Sequence, residues 1–250
     1  MIKGIIFDMD GLMFDTETMY IDAVPKLAAK AGIDLPKEEM QRIIGCDHTM
    51  LDAIEKDYPG LREVIAKNYQ ARRMEHFYHY FPKPGSANKN GLKELVRWLN
   101  ENRIPYAIAS SSLKDHILEM THYAQADIQP SAVISSLDGY PSKPDPAVFL
   151  AAAKAMGLKP EECLVLEDSK FGIQAAKTGG FPSIWIPDRL KADDEMRKSI
   201  QMELPSLHAV KEYLEGIMDT SGHSEQNKSR IRRSEGVHHE AYRQNQSNGI

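Results

Sequence analysis

The sequence predicts an α/β fold: a doubly wound, Rossmann-like parallel sheet with an all-helical insert after its first strand. Three observations carry that prediction. Short apolar runs alternate with longer helical patterns along the chain, the order that builds βαβ units. The runs "GIIF", "YAIA" and "CLVL" are apolar at consecutive positions, as strands buried on both faces are. The stretch from about Asp15 to Pro82 carries helical patterns and no strand; a lone buried strand before it cannot form a domain by itself.

Taken in order, the first strand is expected over 2–7. Helical patterns follow over 17–31, 37–44 and 62–79, and Pro82 with Pro84–Gly85 marks the return to the sheet. Helix 91–102 then leads to strand 106–109, and helix 113–121 to strand 132–135. Helix 145–156 precedes strand 163–166, and helix 171–178 precedes strand 182–186. The expected division is a core of 1–14 and 83–218 with a cap of 15–82. From Asp219 onward the chain is polar and mixed in charge, so it cannot bury enough surface to offset its ordering entropy. Residues 219–250 are expected to be a disordered, solvated tail.

The 250 residues are 42% hydrophobic and 27% charged, with a net charge of −5. These values suit a soluble globular protein and give no basic surface for nucleic acid. No apolar run approaches the roughly 20 residues of a membrane helix. Asp8 and Asp10 interrupt the apolar N-terminus, which does not read as a signal peptide. Cys46 and Cys163 stand far apart in no metal-ligand spacing, and a reduced, cytoplasmic protein is expected. A monomer is expected too.

The stretch "GIIFDMDGLMFDTE" (4–17) places four carboxylates behind a buried strand, which is costly unless something pairs with them. Asp8 stands where the strand ends, the edge at which open parallel sheets bind ligands. Asp10 follows at i+2 and points to the same side in extended chain. Gly11 permits the tight turn after it. A single aspartate there would read as a helix cap; the pair before a glycine reads as a site.

"FDMDGLMFDTE" (7–17) resembles the signature of the haloacid dehalogenase-like hydrolases, and within them the branch of β-phosphoglucomutases and small sugar-phosphate phosphatases. "IASSS" (108–112), "SKPDPAVF" (142–149) and "LVLEDSKFGIQAAKTGG" (164–180) match the same family in the same order. The resemblance implies an aspartyl-phosphate mechanism. Asp8 matches the nucleophile and Asp10 the general acid/base. Mg²⁺ is implied as cofactor, held by the side chains of Asp8 and Asp168 and the backbone carbonyl of Asp10, with Glu167 beside them. Lys143 would hold the nucleophile and the transferring oxygens. Ser110 and the backbone N–H of Ser111 would donate to the phosphoryl group.

Phosphatase and mutase share all those residues. The chain departs from the mutase pattern in having Tyr20 where those enzymes have histidine, and no arginine in 45–51. It also has Leu113 in place of a lysine. Thr16, Tyr20 and His48 are the candidates for substrate specificity, and Arg72 and Arg73 are expected on a solvated helix face. The expected function is therefore a Mg²⁺-dependent phosphatase acting on a small phosphorylated metabolite, a sugar or polyol phosphate. The alternatives are a β-phosphoglucomutase-type mutase and a phosphometabolite-binding regulatory protein on the same fold. Asp10 and the Glu167–Asp168 pair argue against a dehalogenase. The chain has no glycine-rich loop ending in Gly-Lys-Ser/Thr, which argues against a P-loop enzyme.

Overall fold

The computed structural model describes residues 1–40, 48–189 and 192–217. The expected tail, 219–250, and residues 45–47 of the loop 45–51 lie outside these residues. Two compact units are present, Met1–Ala209 and Val210–Ile250; in the second, residues 210–217 are helical.

Strand β1 (Gly4–Phe7) opens the first unit, and its four residues are all buried. Helix α1 (Thr16–Lys30) follows, started by Asp15, whose carboxylate accepts from the Thr18 backbone N–H and hydroxyl. This is an ordinary N-cap. Next come a 3₁₀ turn (Lys37–Glu39) and α2 (His48–Asp57), a helix that the sequence reading missed. The predicted helix 62–79 is broken. It runs as α3 (Leu61–Glu63), a π-helical segment (Val64–Tyr69), a 3₁₀ turn (Gln70–Arg72) and α4 (Arg73–Tyr80).

The rest alternates as expected: α5 (Leu92–Glu101), β2 (Tyr106–Ser110), α6 (Lys114–Tyr123) and β3 (Ala132–Ser135). Then come α7 (Ala147–Ala155), β4 (Cys163–Glu167), α8 (Lys170–Thr178) and β5 (Ser183–Trp185). A four-residue α9 (Asp194–Arg197) precedes β6 (Met202–Glu203), a two-residue edge strand too short to read from sequence.

The six strands form one parallel sheet in the order β3-β2-β1-β4-β5-β6. Consecutive apolar residues have the expected cause. Ile5, Ile6 and Phe7 are each fully buried, as are Ala107, Ile108 and Ala109 on the neighbouring strand. One core cluster joins Ile6, Ala107, Ala109 and Val165 of the sheet to Val148, Phe149 and Ala152 of α7 and Ala175 and Ala176 of α8. Small alanines on these helices let them lie close to the strands, while Phe149 fills the remaining space edge-on against Phe181.

The chain leaves β1, builds β2 and β3 on one side, then returns to place β4 on the other side of β1. Such a reversal opens a crevice at the carboxyl ends of the central strands. Register sets Phe7 beside Leu166 and Ile108. Asp8 and the Glu167–Asp168 pair therefore emerge at the same level, with Ser110 at the end of β2.

Candidate active site

Asp8 follows directly on β1 and is buried, as are Lys143, Glu167 and Asp168. Lys143, in the loop between β3 and α7, donates from Nζ to Asp8 Oδ1 at 2.5 Å, to Glu167 Oε1 at 2.6 Å and to the Ala109 carbonyl at 3.2 Å. Its ammonium also lies 4.7 Å from the centre of the Phe149 ring. Burial works against this charge, but Asp8 and Glu167 hold the ammonium pKa above the ordinary lysine range.

Glu167 is wholly enclosed, and its second oxygen takes three donors: the backbone N–H groups of Asp168 and Ser169 and the Ser169 hydroxyl. Ser169 also caps α8 by accepting from the Gly172 N–H. A Cβ at Gly172 would stand 1.9 Å from the Glu167 carboxyl, so the glycine makes room for that carboxylate. Glu167 thus ties the strand end, the helix start and Lys143 together.

Asp8, Glu167 and Asp168 each offer a carboxylate oxygen within 4.8 Å of one another. Three carboxylates face one ammonium, which leaves an excess of two negative charges. The carboxyls respond accordingly. Burial, with Glu167 and Asp10 adding to it, pushes Asp8 up to about 7 in spite of Lys143. Burial followed by Asp8 and Glu167 pushes Asp168 well above the usual range. All-oxygen donors and that excess charge fit a hard divalent cation such as Mg²⁺. Gly11, at φ +78°, turns the chain against this group; a Cβ there would come within 2.1 Å of Asp168 Oδ2.

Asp10 is part-buried and separately neutralised. Its Oδ1 accepts from the Thr16 hydroxyl at 2.8 Å and from Arg73 Nη2, and its Oδ2 accepts from Ser112 Oγ at 2.6 Å. Burial pushes its pKa up, but Arg73 above all, with Ser112 and Thr16, holds the carboxyl below the ordinary range. Arg73 Nη1 donates in turn to Ser112 Oγ at 2.5 Å. Arg73 was expected on a solvated face; it is instead buried, while Arg72 alone matches that expectation and pairs with Glu75 on the surface.

The cause lies in the residue row. Leu61, Ile65, Tyr69, Arg73 and Phe77 recur every fourth position, and all five are buried. An α-helix advances 400° in four residues and would rotate such a row away; the wider π turns of 64–69 counter that drift. The signal was present in the sequence as an apolar row with an arginine in its gap.

Of the remaining candidates, Ser110 is buried with its Oγ accepting from the Ser112 N–H at 3.0 Å, and Ser111 is exposed. Thr16 was expected at the substrate; its hydroxyl is engaged by Asp10. Tyr20 lies on α1, its ring edge-on to Tyr69 at 4.9 Å between centres. His48 begins α2, and its side chain lies outside the described residues. Ser112, read only as part of a turn, is the second residue that sequence reasoning missed.

The haloacid dehalogenase-like hydrolase family model matches residues 5–186. A phosphorylated carbohydrates phosphatase of Thermotoga maritima is 27% identical over 189 residues, covering 74% of this chain and 84% of that protein. A probable pseudouridine-5'-phosphatase of Drosophila melanogaster is 29% identical, covering 79% and 87%. In structure, the chain is similar to β-phosphoglucomutase from Clostridium difficile, with a TM-score of 0.64 and 22% identity over 86% of this chain and 96% of that one. That likeness carries the fold. With the family model matching residues 5–186, from β1 through β5, the chain belongs to the haloacid dehalogenase-like hydrolases.

Proposed function

We propose that this chain is a Mg²⁺-dependent phosphatase that hydrolyses a small phosphorylated metabolite, a sugar or polyol phosphate, through an aspartyl phosphate on Asp8. The observation that carries the reading is the pairing of two carboxylates with two different buried cations, the buried Asp8 with Lys143 and the part-buried Asp10 with Arg73, at one sheet edge. Residues 15–82 form the cap in this reading, with residues 1–14 and 83–218 as the core.

Asp8 attacks phosphorus; a carboxylate O–P bond forms and the bond to the leaving oxygen breaks. Asp10 gives a proton to that oxygen, then takes one from the water that attacks the aspartyl phosphate. Lys143 orients Asp8 and offsets charge on the transferring oxygens. The Ser110 hydroxyl and the Ser111 N–H donate to the phosphoryl group. Asp8 and Asp168, with the Asp10 carbonyl and Glu167 beside them, would hold Mg²⁺, which would supply the positive charge that lets an anionic nucleophile approach an anionic phosphate.

Both curated relatives described above are named as phosphatases, which supports hydrolysis of a phosphoric monoester as the reaction. Tyr20 in place of a histidine favours hydrolysis over mutase chemistry. The test is phosphate release from a panel of sugar and polyol phosphates, with Mg²⁺ and with EDTA, while glucose 6-phosphate formation from β-glucose 1-phosphate is followed separately. Mg²⁺-dependent phosphate release is expected. Isomerisation without release would make the protein a mutase, and preference for a nucleotide or a phosphoamino acid would overturn the substrate class.

A further inference from the structure

We infer that Arg73 is a positioning residue for the acid/base carboxylate, acting through Asp10 and Ser112; the inference rests on the proposed phosphatase reading and deepens it. Arg73 Nη2, Asp10 Oδ1, Asp10 Oδ2, Ser112 Oγ and Arg73 Nη1 close a ring of hydrogen bonds. Thr16 adds a donor to Oδ1. A carboxylate on a short turn has free rotation about its side-chain bonds; this ring removes that freedom. The planar guanidinium suits the task, because its two donors diverge at a fixed angle and reach an oxygen of each partner. A lysine at the same position presents a point charge and cannot hold both.

A stability role alone does not explain the arrangement. Burying a charged pair gains little over packing apolar groups, and Arg73 occupies the gap in an otherwise apolar row. Among the described residues its buried Nε has no hydrogen-bond partner, so the placement sacrifices one donor to present the other two. Ser112 is itself fixed from behind, with its N–H on Ser110 Oγ and its carbonyl accepting from Ser135 Oγ at 2.7 Å. The helix start at α4 and the strand end at β2 therefore grip Asp10 from opposite sides. A leaving oxygen that needs a proton meets a carboxyl already aimed.

That role predicts a dependence on leaving group. An alkoxide must take up a proton through the Asp10 carboxyl as it leaves, whereas p-nitrophenolate leaves without one. The experiment compares single-turnover cleavage of p-nitrophenyl phosphate with that of the alkyl phosphate turned over fastest in the panel, in wild type, Arg73→Met, Arg73→Lys and Ser112→Ala. For Arg73→Met, the alkyl phosphate rate is expected to fall about 10²-fold or more, within the usual range for lost acid–base catalysis. The p-nitrophenyl phosphate rate is expected to fall less than about tenfold, a gap that isolates proton transfer. Arg73→Lys and Ser112→Ala should widen the same gap, and they decide the matter if Arg73→Met does not fold. Equal losses on both substrates, or a raised KM at unchanged kcat, would overturn the inference. So would full recovery by lysine. Wild type inactive on both substrates would instead sink the phosphatase reading itself.

Discussion

The carboxyl edge of the sheet and the helical stretch 61–80 each deliver a buried cation to a carboxylate of the site. Lys143 reaches Asp8 from a loop after β3, and Arg73 reaches Asp10 from the first turn of α4. The two pairs differ in what surrounds them. Lys143 bridges two buried carboxylates and has a ring beneath it, in a setting built by strand register and a helix cap. Arg73 has one carboxylate, whose side chain is 32% exposed and shares its charge with two hydroxyls. The first pair belongs to the structural framework as well as the chemistry; the second reports on how a helix is phased.

The largest expected effect falls on the sheet edge. Asp8→Asn is nearly isosteric and should lower phosphate release by about 10⁴-fold or more, as loss of a nucleophile does. Its melting temperature should stay level or rise, because one of the repelling carboxylates is gone. Retained turnover in that variant, with contaminating phosphatase excluded, would remove the nucleophile assignment.

Lys143→Met leaves Asp8 and Glu167 facing each other without their shared cation. The expected loss is about 3–5 kcal/mol in urea unfolding, the cost of orphaning a buried charge. Arg73→Met should cost less, since Ser112 and Thr16 still donate to Asp10. If Arg73→Met proved the more destabilising of the two, the contrast between the pairs would fail.

A metal and pH series sharpens the comparison further. The Asp8 carboxyl rises from 3.8 to about 7 in the folded chain. The folded state therefore holds a proton in that window which the unfolded chain has released. Stability contributed by this group is present below about 4 and is lost as pH rises toward 7. Asp10 is shifted the other way, and its contribution is lost only as pH falls below the ordinary carboxylate range. In EDTA the melting temperature should consequently fall between pH 5 and pH 8. Mg²⁺ should raise it more at pH 8 than at pH 5, because protons no longer compete for the oxygens. A larger gain at pH 5 would count against Asp8 and Asp168 as the metal-binding group. The smallest effect belongs to Arg72→Ala, an exposed pair with Glu75, expected to leave the urea unfolding midpoint unchanged.

These contrasts explain why one half of the site was legible and the other was not. Asp8, Asp10, Glu167 and Asp168 were singled out because each follows a short apolar run at a strand end, and Lys143 because "SKPDPAVF" resembles the family's stretch. A strand's reach and facing are set within four or five residues. Arg73 and Ser112 gave no such local cue. Ser112 looks like any turn serine until the Asp10 carboxylate stands 2.6 Å away. The facing of Arg73 depends on the wide turns at 64–69, twelve hydrogen-bonded positions of accumulated phase after Leu61.

Composition and local pattern by themselves determined that the chain forms a parallel sheet with helices around it and carries acids at its carboxyl edge. Buried strands need unbroken apolar runs, and charges beside them need partners. Tertiary packing alone decided which partners those are. Lys143 is 135 residues from Asp8, and Arg73 is 63 from Asp10. Only the folded sheet and the rephased helix bring those charges into contact, because desolvation and hydrogen-bond geometry are properties of the assembled site and not of any segment.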